Sequence, residues 1–294
     1  MDTFLLDELL RGFLREDLEH GDITTEAIFS STETGAAALR AREPLVAAGL
    51  ETVAVRVFRL LDEQLTCSGA VEDGTRRAAG ETLLTVSGPA RSILRAERVA
   101  LNLVQRLCGI ATLTRQYADA AQGCKAAVAD TRKTTPGLRL LEKYAVRCGG
   151  GRNHRYSLSD GVLIKDNHIA ACGSISEAVR RVRAAAPHTM AVEVETDTLA
   201  QVEECLACGV PVIMLDNMDV PTLRQAVELI AGRAVAEASG GVNLRTVRAI
   251  AETGVDIISV GALTHSAPAC DIGLDWVSIT SQRPAIMPLS SERA

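Results

Sequence analysis

Residues 190–241 read MAVEVETDTLAQVEECLACGVPVIMLDNMDVPTLRQAVELIAGRAVAEASGG. Three short apolar runs stand out: MAVEVE (190–195), PVIMLDN (211–217) and AVAEAS (234–239). Each ends in polar residues, and the helical patterns TLAQVEECLACG and VPTLRQAVELIAG lie between them. Such helical stretches stop at or just before Gly or Pro, as helices tend to do. The rhythm continues to DIISVGA (256–262) through LRTVRAIAETG, at a spacing of about 21 to 25 residues. Upstream, AAVADT (126–131), GVLIKD (161–166) and the helical SISEAVRRVRAAA extend it. Strand and helix alternating in this way predict a parallel sheet buried on both faces.

Six such units fit a doubly wound sheet or a barrel. Polar residues close nearly every run: Asp130, Thr131, Arg132 and Lys133; Lys165, Asp166 and Asn167; Glu193 and Glu195; Asp216 and Asn217; Glu237 and Ser239; Gly261. A (β/α) barrel gathers its chemistry at that rim. A doubly wound sheet would concentrate it at one switch point. The segment is too short for eight units, so the barrel is expected to be open or incomplete.

The remaining chain has a different texture. The first ~25 residues read as an amphipathic helix with Phe4, Leu5, Leu9, Phe13 and Leu14 on one face, stopping near His20-Gly21-Asp22. Residues 36–90 read as a small, mostly antiparallel sheet with a helix near TVAVRVFRLL. Residues 91–122 carry two helical patterns joined around Gly109. The expected organisation is 1–112, an N-terminal α/β domain; 113–275, the open barrel; and 276–294, a tail packing back on the first domain.

Composition bounds the function. Apolar residues are 47% of the 294 and charged residues 23%, enough for a sizeable core. The net charge of −6 argues against a general nucleic-acid binder, and 3% aromatics leave few stacking platforms for single strands. The N-terminus carries acid where a signal peptide carries base. No uncharged apolar stretch reaches the ~20 residues of a membrane span. Eight scattered Cys, with only Cys205 and Cys208 in a C-x-x-C pair, read as free thiols in a reducing compartment. A soluble, cytoplasmic protein is expected.

Only four of the 31 basic residues are Lys: Lys125, Lys133, Lys143 and Lys165. A Lys kept against that bias marks a place where a compact ammonium is needed. The window 130–168 holds eight Lys/Arg against four Asp/Glu, so a basic cluster sits on an acidic protein. That predicts an anionic ligand at a site. Arg139, Glu142, Lys143 and Arg147 fall at helical spacing and read as surface residues or helix-packing partners. Arg132, Lys133, Arg155 and Lys165 stand at strand ends or close a Gly-rich loop, GGGRNHR (149–155), where His154 is a further candidate. Ser239-Gly240-Gly241 reads as a phosphate cradle between a strand and a helix, and Gly261 repeats the pattern one strand later, before His265. Glu195 and Asp216 end neighbouring strands and suit Mg²⁺ beside a phosphorylated substrate. Glu193, on the same strand face as Glu195, reads as an orienting residue.

Taken together, EDLEHGDITTEAI, RAERVALNLVQRLCGIAT, DTRKTTPGLRLLEKYAVRCGGGRNHR, LIKDNHI, IMLDNM, EASGG and TGVDIISVGALTHS resemble the quinolinate phosphoribosyltransferase family over almost the whole chain. The resemblance implies an α/β fold: an N-terminal α/β sandwich domain plus an open, incomplete (β/α) barrel of six or seven parallel strands. It implies phosphoribosyl transfer from phosphoribosyl pyrophosphate to quinolinate with Mg²⁺, releasing nicotinate mononucleotide, pyrophosphate and CO₂. It also implies a homodimer or higher homo-oligomer in which Arg98 enters the neighbouring site. Arg132, His154, Arg155 and Lys165, with that Arg98, would hold the two carboxylates of quinolinate. Lys133, Ser239, Gly240, Gly261 and His265 would contact phosphoribosyl pyrophosphate. Glu195 and Asp216 would meet the ribose hydroxyls, the magnesium, or both. Three other readings stand beside this one. They are a relative of the same fold from molybdenum-transport operons with another substrate, a Schiff-base lyase using Lys165, and a binding protein without turnover.

Overall fold

A computed structural model describes residues 1–280. The chain forms two compact units: Met1–Gln105 with the segment that starts at Cys270, and Arg106–Ala269. Both divisions fall a few residues before the expected 112/113 and 275/276. The first has no loop to mark it, because Ala90–Ala120 is one continuous 31-residue helix rather than two joined at Gly109. Gly109 is there for close approach: a side chain at this position would collide with the Pro268 carbonyl.

The N-terminal unit is built on a four-stranded antiparallel sheet in the order Ile272–Thr280, Thr34–Ala41, Thr82–Pro89, Thr66–Ser68. The segment after residue 271 thus adds an edge strand to this sheet; the expected tail beyond residue 280 lies outside the described residues. Leu39, Leu83, Leu84 and Phe58 are fully buried in its aliphatic core. The N-terminal helix is shorter than expected, Thr3–Leu18, and a separate helix covers Ile23–Ile28. Asp2 and Asp22 cap the two helices through their carboxylates. The first helix buries Leu6, Leu10 and Leu14 and leaves Phe4 and Leu5 exposed, so its inner stripe is rotated from the expected face.

The second unit holds six parallel strands: β1 (Ala127–Ala129), β2 (Val162–Ile164), β3 (Val192–Thr196), β4 (Val212–Asp216), β5 (Val235–Ser239) and β6 (Ile257–Ser259). Their order across the sheet is β1-β6-β5-β4-β3-β2, each hydrogen-bonded to its neighbour. This is barrel order with a seam between β1 and β2. At the seam Arg152 makes a one-residue parallel bridge to Ala129, so a seventh strand is reduced to a single residue. Val194, Ile213, Leu215 and Ile258 are fully buried. Among the described residues no helix is long and apolar enough to cross a membrane.

Candidate active site

Side chains alternate along a strand, so residues two apart share a face. On β3, β4 and β5 that parity brings Glu195, Met214, Asp216 and Ser239 to one cavity at the C-terminal end of the barrel. Its volume is about 490 Å³. The loop after β1 adds Thr131, Arg132 and Lys133; the segment at the seam adds His154 and Arg155; β2 and its end add Leu163 and Lys165.

One wall is basic. The Arg155 guanidinium is lowered from its usual value, by burial first and then by the nearby charge of Arg132. Its Nη1 donates to the Gly161 carbonyl at 2.7 Å. The Nε of Arg132 is buried without a hydrogen-bond partner. Two crowded guanidiniums with an orphaned donor favour an anion at this wall.

The support behind this wall was misjudged from sequence. Lys143 and Glu142 are fully buried, not surface residues. Lys143 Nζ donates to Asp130 Oδ1 at 2.5 Å and to the His154 carbonyl at 2.9 Å. Asp130 also accepts from Asn153 Nδ2 and the His154 N–H, at 2.6 and 2.8 Å. Glu142 accepts from both Arg106 and the Thr135 N–H. These two buried acids pin the loops that carry Arg132, His154 and Arg155.

The opposite wall is acidic. Lys165 Nζ reaches Glu195 Oε2 at 2.6 Å. The Asp216 carboxyl is raised by burial, then by Glu195 and Asp197. Crowded carboxylates facing a cavity fit a divalent cation or sugar hydroxyls. Beside them, Gly240 and Gly241 have φ of 85° and 61°. A side chain at Gly240 would overlap Asn217, so only Gly fits there. The following helix begins at Val247, so the cradle rests on the glycine turn and not, as expected, on a helix N-terminus directly after it. Gly261 lies against Lys133: a Cβ there would be 2.9 Å from Lys133 Cδ and 3.3 Å from the His265 ring.

Below the cavity His154 meets two more strand acids. Its Nε2 lies 3.0 Å from Glu193 Oε2 and 3.5 Å from Glu237 Oε1. Both carboxylates are buried. The imidazole is disfavoured as a cation by burial, but Glu193 and Glu237 raise its pKa overall. Glu237 is pushed up to about 7, by burial first and then by Glu193. A carboxyl raised above its unfolded value of 4.5 favours the fold while it stays protonated, and loses that contribution as pH rises through about 7. Glu237→Gln cannot ionise. It is therefore expected to be about 2 kcal/mol more stable than the parent at pH 8, with the difference fading at pH 5. Denaturant melts at the two pH values check this.

Nine of the twelve residues expected at the site thus line one cavity. Gly261 packs beside its Lys133, and the His265 ring lies beside Gly261. Arg98 does not line it; this Arg is exposed on the Ala90–Ala120 helix, in the N-terminal unit. Of the other lining residues, Thr131 and Asn217 were expected only at the rim and Gly241 in the cradle, while Ser259 was passed over. Of the support residues, Asp130 was expected only at the rim and Lys143 on the helix surface or in helix packing, and Asn153 was passed over. Glu237 carried a usable signal, standing two residues before Ser239 as Glu193 stands before Glu195.

Comparison with known proteins fits this arrangement. The model of the quinolinate phosphoribosyl transferase C-terminal domain matches residues 110–275, and that of the N-terminal domain matches residues 22–108. A Bacillus subtilis protein named probable nicotinate-nucleotide pyrophosphorylase (carboxylating) is 45% identical over 275 residues, covering 94% of each chain. The Mycobacterium leprae nicotinate-nucleotide pyrophosphorylase (carboxylating) is 47% identical, covering 91% of this chain and 96% of its own. The crystal structure of NadC from Streptococcus pyogenes superposes with a TM-score of 0.90 at 46% identity, over 95% of this chain and 99% of that one. With both domain models matched and relatives this similar over nearly their full length, the chain belongs to the quinolinate phosphoribosyltransferase family.

Proposed function

We propose that this chain transfers the phosphoribosyl group of phosphoribosyl pyrophosphate to quinolinate and releases the 2-carboxylate, giving nicotinate mononucleotide, pyrophosphate and CO₂. One observation carries the reading: the cavity crowds guanidiniums at one wall and carboxylates at the other. A dianionic heterocycle suits the first wall, and a hydroxyl-rich sugar suits the second.

In this reading Arg132, Arg155 and Lys165 hold the two ring carboxylates, with His154 behind them. The pyridine nitrogen attacks C1 of the ribose as the C1–O bond to pyrophosphate breaks. Lys133 and the turn Ser239-Gly240-Gly241, with Gly261 and His265 alongside, stabilise the charge gathering on pyrophosphate. Glu195 and Asp216 face the cationic sugar. The quaternised ring then accepts the electron pair of the breaking C–CO₂ bond, and a proton replaces CO₂. The guanidiniums must hold both carboxylates without fully neutralising the one that leaves.

Glu195 and Asp216 are the residues that would hold Mg²⁺, and their mutual repulsion fits a cation. When bound, the ion would supply charge stabilisation to the departing pyrophosphate. We further assign Arg98, by likeness to the family, to the site of a neighbouring copy in a homodimer or larger assembly. The setting for this chemistry is the cytoplasm. Lys165 is held against a carboxylate as an ion-paired ammonium, which disfavours its use as a neutral Schiff-base nucleophile.

The deciding assay supplies quinolinate, phosphoribosyl pyrophosphate and Mg²⁺ to the purified protein. Equal amounts of CO₂ and pyrophosphate are expected. Absence of CO₂ release from quinolinate overturns the substrate assignment.

A further inference from the structure

We propose that Glu193 and Glu237 are positioning residues for the quinolinate end of the cavity: they hold the His154 ring so that its other nitrogen fixes the Arg155 backbone. The inference rests on the function proposed above and adds a role for two buried acids outside the cavity lining.

The geometry runs in one line from the strands to the loop. Glu193 on β3 stands within hydrogen-bond distance of His154 Nε2, and Glu237 on β5 faces the same atom from 3.5 Å by charge, its Oε1 without a hydrogen-bond partner. On the far side of the ring, His154 Nδ1 accepts the Arg155 N–H at 2.8 Å. An accepting Nδ1 has no proton of its own, so the neutral ring carries its proton on Nε2, aimed at the two carboxylates. The ring is therefore a strut. One end stands on two strands of the barrel, and the other holds the amide of a substrate-facing arginine.

Arg155 is then fixed twice, by its amide through the ring and by its guanidinium on the Gly161 carbonyl. His154 is fixed a third way, because its own N–H is held by Asp130. Loops do not orient a long side chain well unless a supporting shell locks them. Here the shell stands on β3 and β5, strands separated in the sheet only by β4.

The same three residues have the composition of a metal site, with their ligand atoms all within 4.8 Å of one another. The tautomer decides against that use. A metal on Nε2 needs a lone pair there, which would move the ring proton to Nδ1 and aim it at the Arg155 N–H. The cluster is arranged to share a proton.

The test uses Glu193→Leu and Glu193→Gln in the full-length protein, with steady-state kinetics for each substrate. Glu193→Leu removes the acceptor and is expected to raise the KM for quinolinate at least about tenfold, with the KM for phosphoribosyl pyrophosphate within about twofold of the parent. Glu193→Gln keeps an acceptor oxygen and should recover most of that loss. In a His154→Ala background, Glu193→Leu should add little. Equal shifts in both KM values, no shift in either, or full additivity with His154→Ala would overturn the proposal. A second measurement is independent of turnover. Nitrogen-15 NMR of the histidines, at a pH where the ring is neutral, should show His154 with its proton on Nε2. A proton on Nδ1, or a stoichiometric divalent metal retained through chelator dialysis and lost in Glu237→Gln, would also overturn it. Failure of the parent protein to consume quinolinate would instead sink the proposed function, leaving the NMR result to judge the strut.

Discussion

Lys133→Ala is expected to lower kcat by about a hundred- to a thousandfold, while the KM for quinolinate moves by no more than about threefold. The lysine stands on the loop after β1, against Gly261, and lines the cavity. In the proposed reaction its charge would serve the step in which pyrophosphate gathers negative charge, and a group that acts mainly in that step shows in kcat. Arg132→Ala should give the opposite split, a raised KM for quinolinate, because Arg132 lines the basic wall and its buried Nε has no hydrogen-bond partner. Lys133→Arg should not restore the rate. The alkyl chain lies where even a methyl group on Gly261 would crowd it, and a planar fork presents its donors differently from a compact ammonium. Steady-state kinetics with each substrate varied in turn decides the matter. Near-normal kcat in Lys133→Ala would remove the lysine from the mechanism.

Lys143→Met is expected to cost about 3–5 kcal/mol of folding stability, more than any surface substitution in this chain. Both members of the Lys143–Asp130 pair are fully buried. Burial raises the Asp130 carboxyl and lowers the Lys143 ammonium, so each depends on the other to remain charged. Removing the lysine strands a buried carboxylate that still has to hold Asn153 and the His154 N–H. Adding Asp130→Asn to Lys143→Met should recover part of the loss, since a neutral amide is cheaper to leave in that place. Urea melts of the two variants provide the check. A loss below about 1 kcal/mol in Lys143→Met would show that the pair is dispensable.

The barrel was legible because its strands are short, aliphatic and closed by polar residues. Each apolar run of the sequence corresponds to one of β1–β6, and most residues chosen at the run ends meet in one cavity. Position along a strand is a strong signal, since parity alone decides which face a residue takes. Helical spacing is weaker. Glu142 and Lys143 stand side by side in PGLRLLEKYAVR, where charge argues for the outside, yet each finds an opposite charge buried with it. Pairing of that kind depends on residues 13 and 36 positions away, Asp130 and Arg106. No local pattern reports it. The N-terminal helix failed for a related reason. With apolar residues on several sides, its sequence allows more than one inner face, and packing against the helix Val55–Leu61 chooses Leu6, Leu10 and Leu14. Gly109 suggested a break because a glycine inside a helix more often weakens it than serves close packing.

The gap in the barrel wall has its own consequence. The stave that would close it is cut to Arg152, and the next residues of that same segment are Asn153, His154 and Arg155. A full strand there would spend its amides on ladder partners. Freed of that duty, the backbone from 153 to 155 can turn its N–H groups to a carboxylate and to an imidazole instead. On the proposed reading, the molecule's grip on its acidic guest is thus fashioned from the plank it left out.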